Sequence, residues 1–438
     1  MSSTLWRDVS TAASARQAPR WAMRAGVAVI GVLFAAYMSA IYWGTPGLDM
    51  EVYWRAAQVL HGLNPATDEL YAPSLVETRR FELPFTYPPS AALLFFPLGG
   101  LSLEQAWHLM CLGGSLLMVV LVWLVLRLAP FSRSWFGVRV VPTLVAFSLG
   151  CLAASHLYPV RYTFFYGQIN TLLAVLILFD LGRESTRRRA AGFLTGLAAG
   201  LKITPAAMGL VPLALQQWRT IAGMAAGFAA TVVFAALFLP RQVFSYFTDQ
   251  LWSTDRVGDA TRLSNQSLTG TLHQWGFPDG SVRPLWLVLS LLLIVAGALA
   301  IRRLARHDDL FSAVCIGAMV MLLISPISWE HHWVWVLPLA AALIPHAPAQ
   351  RTSVGWSISL ALFASLWFLF ANNPALIAAH MLGDLNADYY FYPDSRLQAV
   401  VATLPVLAAI AAAAWISLRP QREVQEPMAQ GPSSRTDR

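Results

Sequence analysis

Asp49 and Glu51 stand two residues apart in the run Gly47-Leu48-Asp49-Met50-Glu51-Val52-Tyr53-Trp54, directly behind the first long apolar stretch. A carboxylate at the water edge of a bilayer costs little to keep ionised, and there it can take a proton from a hydroxyl brought to the membrane surface. One of the pair could be that base while the other holds an arginine or orients the site; two solvated loop carboxylates would look the same. Lys202 is the only lysine among 30 basic residues. It sits in Leu201-Lys202-Ile203-Thr204-Pro205, a break between two short apolar segments. An ammonium there could meet a lipid-linked phosphate as a point charge, or merely snorkel to a headgroup.

Three more polar clusters carry possible chemistry. In Ser328-Trp329-Glu330-His331-His332-Trp333, Glu330 and the two imidazoles could ligate a metal, but adjacent histidines seldom point at one ion and no zincin spacing accompanies them. Hydrogen bonds to a phosphate or a sugar hydroxyl suit them better, with the tryptophans as interface anchors or a sugar-stacking surface. Arg262-Leu263-Ser264-Asn265-Gln266-Ser267 is rich in donors suited to sugar hydroxyls. Tyr166-Gly167-Gln168-Ile169-Asn170 places two amides where an apolar helix would otherwise begin, and Arg161 precedes it. Each signal also reads as ordinary loop polarity.

The elements that must position these residues are membrane helices. The chain has 438 residues, 57% hydrophobic and 12% charged, with a mean hydropathy of +0.54 and a net charge of +7. So little charge cannot cover the surface of a soluble protein this size, so the chain is expected to be an all-α polytopic membrane protein. Basic clusters at Arg16, Arg20 and Arg24, at Arg127, Arg133 and Arg139, at Arg183 and 187–189, at Arg302, Arg303 and Arg306, and at Arg419 and Arg422 mark cytoplasmic loops, not nucleic-acid binding. Cys111, Cys151 and Cys315 lie in apolar stretches and read as small buried hydrophobes.

The first span is expected from Trp21 to Trp43, as an uncleaved anchor. Others fall near 105–128, 138–157, 167–182, 190–201, 204–217, 220–239, 284–304, 309–326, 332–346, 352–371 and 397–417, about twelve in all with both ends cytoplasmic. The segment from Ser90 to Leu101 is too short to span and is opened by Pro88-Pro89; as a span it would invert the charge rule, so it reads as a juxtamembrane helix on the outer face. Larger outer loops then cover 44–104, 240–283 and 372–396, with small turns at 158–166 and 326–331. Residues 1–20 form a cytoplasmic tail, 21–417 one membrane domain, and 418–438 a disordered cytoplasmic tail. Under this topology all the polar clusters face one compartment. A transporter or lipid flippase would instead place ionisable groups at the midplane and repeat its halves, and no convincing repeat is present.

The chain resembles the GT-C class of integral-membrane glycosyltransferases, and most closely glycosyltransferase family 87. The likeness rests on Gly47-Leu48-Asp49, Thr86-Tyr87-Pro88-Pro89, Gly167-Gln168-Ile169-Asn170, Gly200-Leu201-Lys202-Ile203-Thr204-Pro205, Ser264-Asn265-Gln266-Ser267 and Ser328-Trp329-Glu330-His331-His332. The resemblance implies a polyprenyl-phosphate-mannose donor, no cofactor, and a periplasmic lipid-glycan acceptor of the phosphatidylinositol mannoside type. It also implies inverting transfer to an α-1,2 linkage in the inner membrane. Lipoglycan-branching mannosyl or arabinofuranosyl transfer remains open. By the same resemblance Asp49 is the catalytic base, with His331 or His332 holding phosphate or acceptor. Lys202 and Arg161 are implied for the donor phosphate, and Gln168, Asn265 and Glu330 for binding substrate; Glu51, Asn170, Arg262 and Gln266 join them as substrate-binding candidates from the polar clusters themselves.

Overall fold

The computed structural model describes residues 20–64, 67–77, 82–182, 190–346, 350, 352–377 and 395–420. Most of both expected tails, residues 378–394 of the third outer loop, and Arg16, Arg183, Arg422 and 187–189 lie outside the described residues. The described chain is mostly helical. In order the helices are α1 (Arg20–Tyr42), α2 (Leu48–Leu60), α3 (Pro89–Phe95), α4 (Leu103–Leu128), α5 (Val140–His156), α6 (Tyr158–Tyr166), α7 (Asn170–Leu181), α8 (Phe193–Leu201), α9 (Leu210–Ala214), α10 (Trp218–Phe238), α11 (Pro240–Thr248), α12 (Leu268–Gln274), α13 (Asp279–Arg306), α14 (Leu310–Ile324), α15 (Val336–Leu343), α16 (Ser353–Asn372) and α17 (Arg396–Leu418). A two-residue hairpin, Val76–Glu77 against Glu82–Leu83, lies between α2 and α3.

Among the described residues six helices are long and apolar enough to cross a bilayer: α1, α4, α10, α13, α16 and α17. The pair α5 and α6, bent by 67°, makes a seventh if counted as one span. Their outward leucines, such as Leu33, Leu237 and Leu291, are exposed because hydrocarbon rather than water is their solvent. The chain is thus a multi-pass membrane protein. The remaining expected spans are short helices. Among them α14 is buried along nearly its whole length, and its 15 residues would reach only about 22 Å. It runs through the protein interior and ends at Ser325-Pro326, where it delivers the turn carrying Glu330, His331 and His332.

Two local readings change. The expected turn at 158–166 is a helix, α6, packed against a 3₁₀ segment Glu330–Trp335. Its aromatic-rich sequence gave no apolar period, yet Pro159 in the first turn starts it and Gly167 in the left-handed conformation ends it. The expected span 332–346 is that 3₁₀ segment followed by α15, since Pro338 and the buried Trp333 and Trp335 belong to packed interior rather than a lipid-facing helix.

Close packing of α8 on α10 fixes the end of α8 that leads into Lys202. A Cβ on Gly196 would stand 2.1 Å from the Met224 carbonyl oxygen, and one on Gly227 2.1 Å from that of Phe193. Small residues let two helices in a membrane approach this closely. Gly196→Val should therefore cost roughly 3 kcal/mol or more through overpacking. The check is the thermal unfolding midpoint in detergent; an unchanged midpoint would contradict this packing.

Candidate active site

Asp49 lies in the first turn of α2, where its charge and that of Glu51 suit the positive end of the helix. The chain leaving α6 is pressed against this turn. A Cβ on Gly167, whose φ is +75°, would meet Met50 Cβ at 2.6 Å, and one on Gly47 would meet the Tyr166 carbonyl carbon at 2.5 Å. Glycine at both places lets Gln168 reach across and donate from Nε2 to Asp49 Oδ2 at 2.6 Å. A charge-assisted bond this short orients the carboxylate and favours its ionised form.

Lys202 stands in the break after α8, in extended conformation. Its ammonium donates to Tyr87 OH at 3.2 Å and to Asn170 Oδ1 at 3.2 Å, and meets His332 Nε2 at 3.0 Å. A lysine ammonium has three protons and no lone pair, so Nε2 of His332 must accept and that imidazole is neutral. Ser90, in the first turn of α3, donates to the Gly200 carbonyl and so ties the Tyr87 segment to the end of α8. Tyr87 in turn donates to Gln168 Oε1 at 2.8 Å and receives a bond from Tyr53 at 2.8 Å.

Asp49, Tyr53, Tyr87, Gln168, Lys202 and His332 line a cavity of about 980 Å³ walled by the 44–104 and 240–283 loops and the 325–332 turn. Asp49, Gln168, Lys202, Arg262, Glu330, His331 and His332 all border it. Burial raises the Asp49 carboxyl to about 6, against the lowering effects of Gln168 and then Lys202. Burial lowers the Lys202 ammonium to about 7, with Asp49 opposing. Burial, and then the Lys202 charge, hold His331 well below its usual range. Near neutral pH the site therefore offers an ionised carboxylate, a cation poised near its own titration, and neutral imidazoles.

The other expected residues divide. Glu330 accepts from Asn373 Nδ2 at 3.1 Å, while His331 Nε2 is buried with no protein partner. Glu330, His331 and His332 do not converge on one point, and among the described residues no group of three metal-ligating side chains forms. Asn170 lies behind Lys202 and also donates to the His331 carbonyl at 2.9 Å. Asn265 is fully buried and spent on backbone: Nδ2 donates to Ala260 and Pro326 carbonyls at 2.9 and 3.3 Å, and Oδ1 accepts from Ser328 N at 2.9 Å and Ser267 N at 3.3 Å. Gln266 donates to Tyr158 OH at 2.6 Å. Asn265 therefore holds the 325–332 turn in place while the Gln266 side chain ties its loop to α6, and neither borders the cavity. Glu51 faces Arg55 on its own helix at 3.7 Å, and Arg161 donates to the Ala371 carbonyl at 2.7 Å; neither borders the cavity.

Sequence reading missed Tyr87, Tyr53 and Arg256. Tyr87 and Tyr53 are buried beside Asp49 and Lys202, and Arg256 also lines the cavity, its guanidinium 5.9 Å from the centre of the Tyr71 ring. The one available signal was Thr86-Tyr87-Pro88-Pro89, a polar aromatic locked in extended backbone by the proline behind it.

Residues 85–326 match the model of glycosyltransferase family 87. Over 380 residues, 84% of this chain and 86% of the relative, the sequence is 32% identical to a polyprenol-phosphate-mannose-dependent alpha-(1-2)-phosphatidylinositol pentamannoside mannosyltransferase of Mycolicibacterium smegmatis. A protein of the same name from Mycobacterium tuberculosis is 31% identical over 94% of both chains. A polyprenol-phosphate-mannose-dependent alpha-(1-2)-phosphatidylinositol mannoside mannosyltransferase of Mycobacterium tuberculosis is 34% identical over 58% of this chain and 61% of its own. No solved structure matches the chain. The family match covers more than half of the chain and the similarity to full-length relatives extends over nearly all of it, so this protein belongs to glycosyltransferase family 87.

Proposed function

We propose that this protein transfers mannose from polyprenyl-phosphate-mannose to a hydroxyl of a phosphatidylinositol mannoside, forming an α-1,2 linkage with inversion. The observation that carries the reading is one cavity holding an ionisable carboxylate and a half-buried ammonium, in a family whose similar members bear that activity in their names. The acceptor hydroxyl gives its proton to Asp49 as its oxygen attacks the anomeric carbon. The bond from that carbon to the phosphate oxygen breaks, and polyprenyl phosphate leaves as an anion. Lys202 and the guanidinium of Arg262 supply the positive field that receives it. All three Lys202 protons face protein acceptors, and an entering phosphate oxygen, being anionic, displaces one of them as the stronger partner. His331 Nε2, buried and bordering the cavity, is placed to bond an acceptor hydroxyl.

The same reading takes the architecture as a GT-C fold of about twelve membrane segments, the short ones buried among the longer. The site faces the periplasm across the inner membrane, with both termini cytoplasmic. The basic clusters at Arg127, Arg133 and Arg139 and at Arg302, Arg303 and Arg306 support that orientation.

The pH dependence follows. Transfer needs Asp49 ionised, so kcat/KM rises as pH increases through about 6. It needs Lys202 charged, so kcat/KM falls as pH increases through about 7 in the donor-free protein. Bound phosphate stabilises the ammonium, so the alkaline limb of kcat lies higher than that of kcat/KM. Initial rates against donor concentration across pH check this; a kcat/KM flat over that range would contradict both assignments. The activity itself is tested with radiolabelled mannose on polyprenyl phosphate in membranes. Label appearing in an acceptor glycolipid supports the transferase, whereas label that only moves between leaflets as intact donor marks a flippase.

A further inference from the structure

We infer that Lys202, Tyr87, Gln168 and Asp49 form a hydrogen-bond chain with one fixed direction, in which Tyr87 and Gln168 are positioning residues that turn the Asp49 carboxylate toward its proton. The inference rests on the reading of Asp49 as the base.

The direction is set by the two ends. An ammonium can only donate and an ionised carboxylate can only accept. Lys202 therefore donates to the Tyr87 oxygen at 3.2 Å, and that oxygen's other lone pair receives Tyr53 at 2.8 Å. The single proton of Tyr87 is left for Gln168 Oε1, 2.8 Å away. With its carbonyl so occupied, Gln168 presents its amide nitrogen to Asp49 at 2.6 Å. Turned over, the same amide would set its carbonyl oxygen against the carboxylate. Burial keeps the Tyr87 and Tyr53 hydroxyls protonated, so neither breaks the direction by ionising. The chain joins segments 81 to 119 residues apart, with lysine and base at opposite ends. A phosphate that takes the place of Asn170 or His332 on Lys202, and leaves the Tyr87 bond made, thus also holds the carboxylate in its working orientation.

The groups that bear on the Asp49 titration are few. Lys202 faces it through the chain, with His332 and Asn170 behind Lys202. Tyr53 on its own helix, Tyr87 and Tyr166 face it as neutral phenols. Glu51 is turned to Arg55, and Glu82, Asp259, Arg256, Arg262, Glu330 and His331 border the rest of the cavity.

The test is the pH profile of kcat/KM for Tyr87→Phe and Gln168→Leu in the full-length protein, with Asp49→Asn assayed beside them. Each substitution removes the donor that Asp49 accepts or the group that orients it. In each the acid limb should move up by about one pH unit, with transfer at the wild-type limb about tenfold lower. The double variant should move the limb no further than the larger single change, because both cut one chain. A merely structural tyrosine would scale the rate equally at every pH and leave the limb in place; that result in Tyr87→Phe overturns the inference. Should Tyr87→Phe fail to fold, the Gln168→Leu limb decides by itself. Turnover retained by Asp49→Asn would overturn the base and the chain together. An inactive Asp49→Asn beside unmoved limbs overturns the chain alone.

Discussion

Asp49→Asn should lower kcat/KM for mannosyl transfer by about 10³ while leaving the protein folded, since a positioned general base contributes roughly 10² to 10⁴. The substitution keeps the shape of the side chain and an oxygen able to accept from Gln168 Nε2, which now lies 2.6 Å from the carboxylate. What it removes is the ability to take a proton. Among the described residues no other carboxylate bonds into the same hydrogen-bond chain: Glu51 is turned toward Arg55 and Glu330 accepts from Asn373. Lys202 and Arg262 remain, so donor binding should stay within a few fold of wild type. Steady-state rates with labelled donor, donor binding and the thermal midpoint together check this. A variant that turns over at near-normal rate would remove Asp49 from the base role.

Lys202→Met should raise the KM for donor strongly, lower kcat/KM by about 10² to 10³, and change the KM for acceptor little; that is the scale of losing one preorganised charge partner in a water-poor site. Methionine keeps the length of the stem but not the ammonium. Asn170 Oδ1 and His332 Nε2 then lose their donor, so a modest loss of stability, about 1–3 kcal/mol per buried acceptor left unpaired, should accompany the kinetic defect. Lys202→Arg should not restore activity, because a planar guanidinium cannot direct protons at three separate acceptors from one nitrogen. Equal losses for donor and acceptor would argue for a lysine that only holds the fold.

The parts of the site legible in the sequence are those whose residue type is itself unusual at its depth. A lone lysine at a proline-enforced break, and a carboxylate just behind the first apolar stretch, are costly placements that sequence displays directly. The Glu330-His331-His332 turn was legible for the same reason. Tyr87 and the role of Gln168 were not, because their meaning lies in partners far away in the chain: Tyr87 bonds Gln168 81 residues on and Lys202 115 residues on. Asn265 and Gln266 show the opposite failure. Their polarity reads as sugar-binding in sequence, yet the partners are Ala260, Pro326, Ser328 and Tyr158, and no local pattern tells a backbone partner from a ligand. Among the helices, α4, α10 and α17 were read nearly to their ends from apolar length alone. The break at Lys202 followed from Pro205. Helix α6 stayed hidden because its aromatic residues pack on both the 330–335 turn and α16, leaving no single apolar face to show a period.

The central claim is that mannose moves from polyprenyl phosphate to a phosphatidylinositol mannoside hydroxyl with Asp49 as the base. Its most direct test is single-turnover transfer by purified wild-type and Asp49→Asn protein, using β-linked labelled mannosyl polyprenyl phosphate and a defined phosphatidylinositol mannoside, with the product linkage determined by NMR. The expected result is an α-1,2-linked mannosyl product from the wild type, and donor bound but unconsumed with Asp49→Asn. A product of retained β configuration, or equal transfer by both proteins, would contradict it.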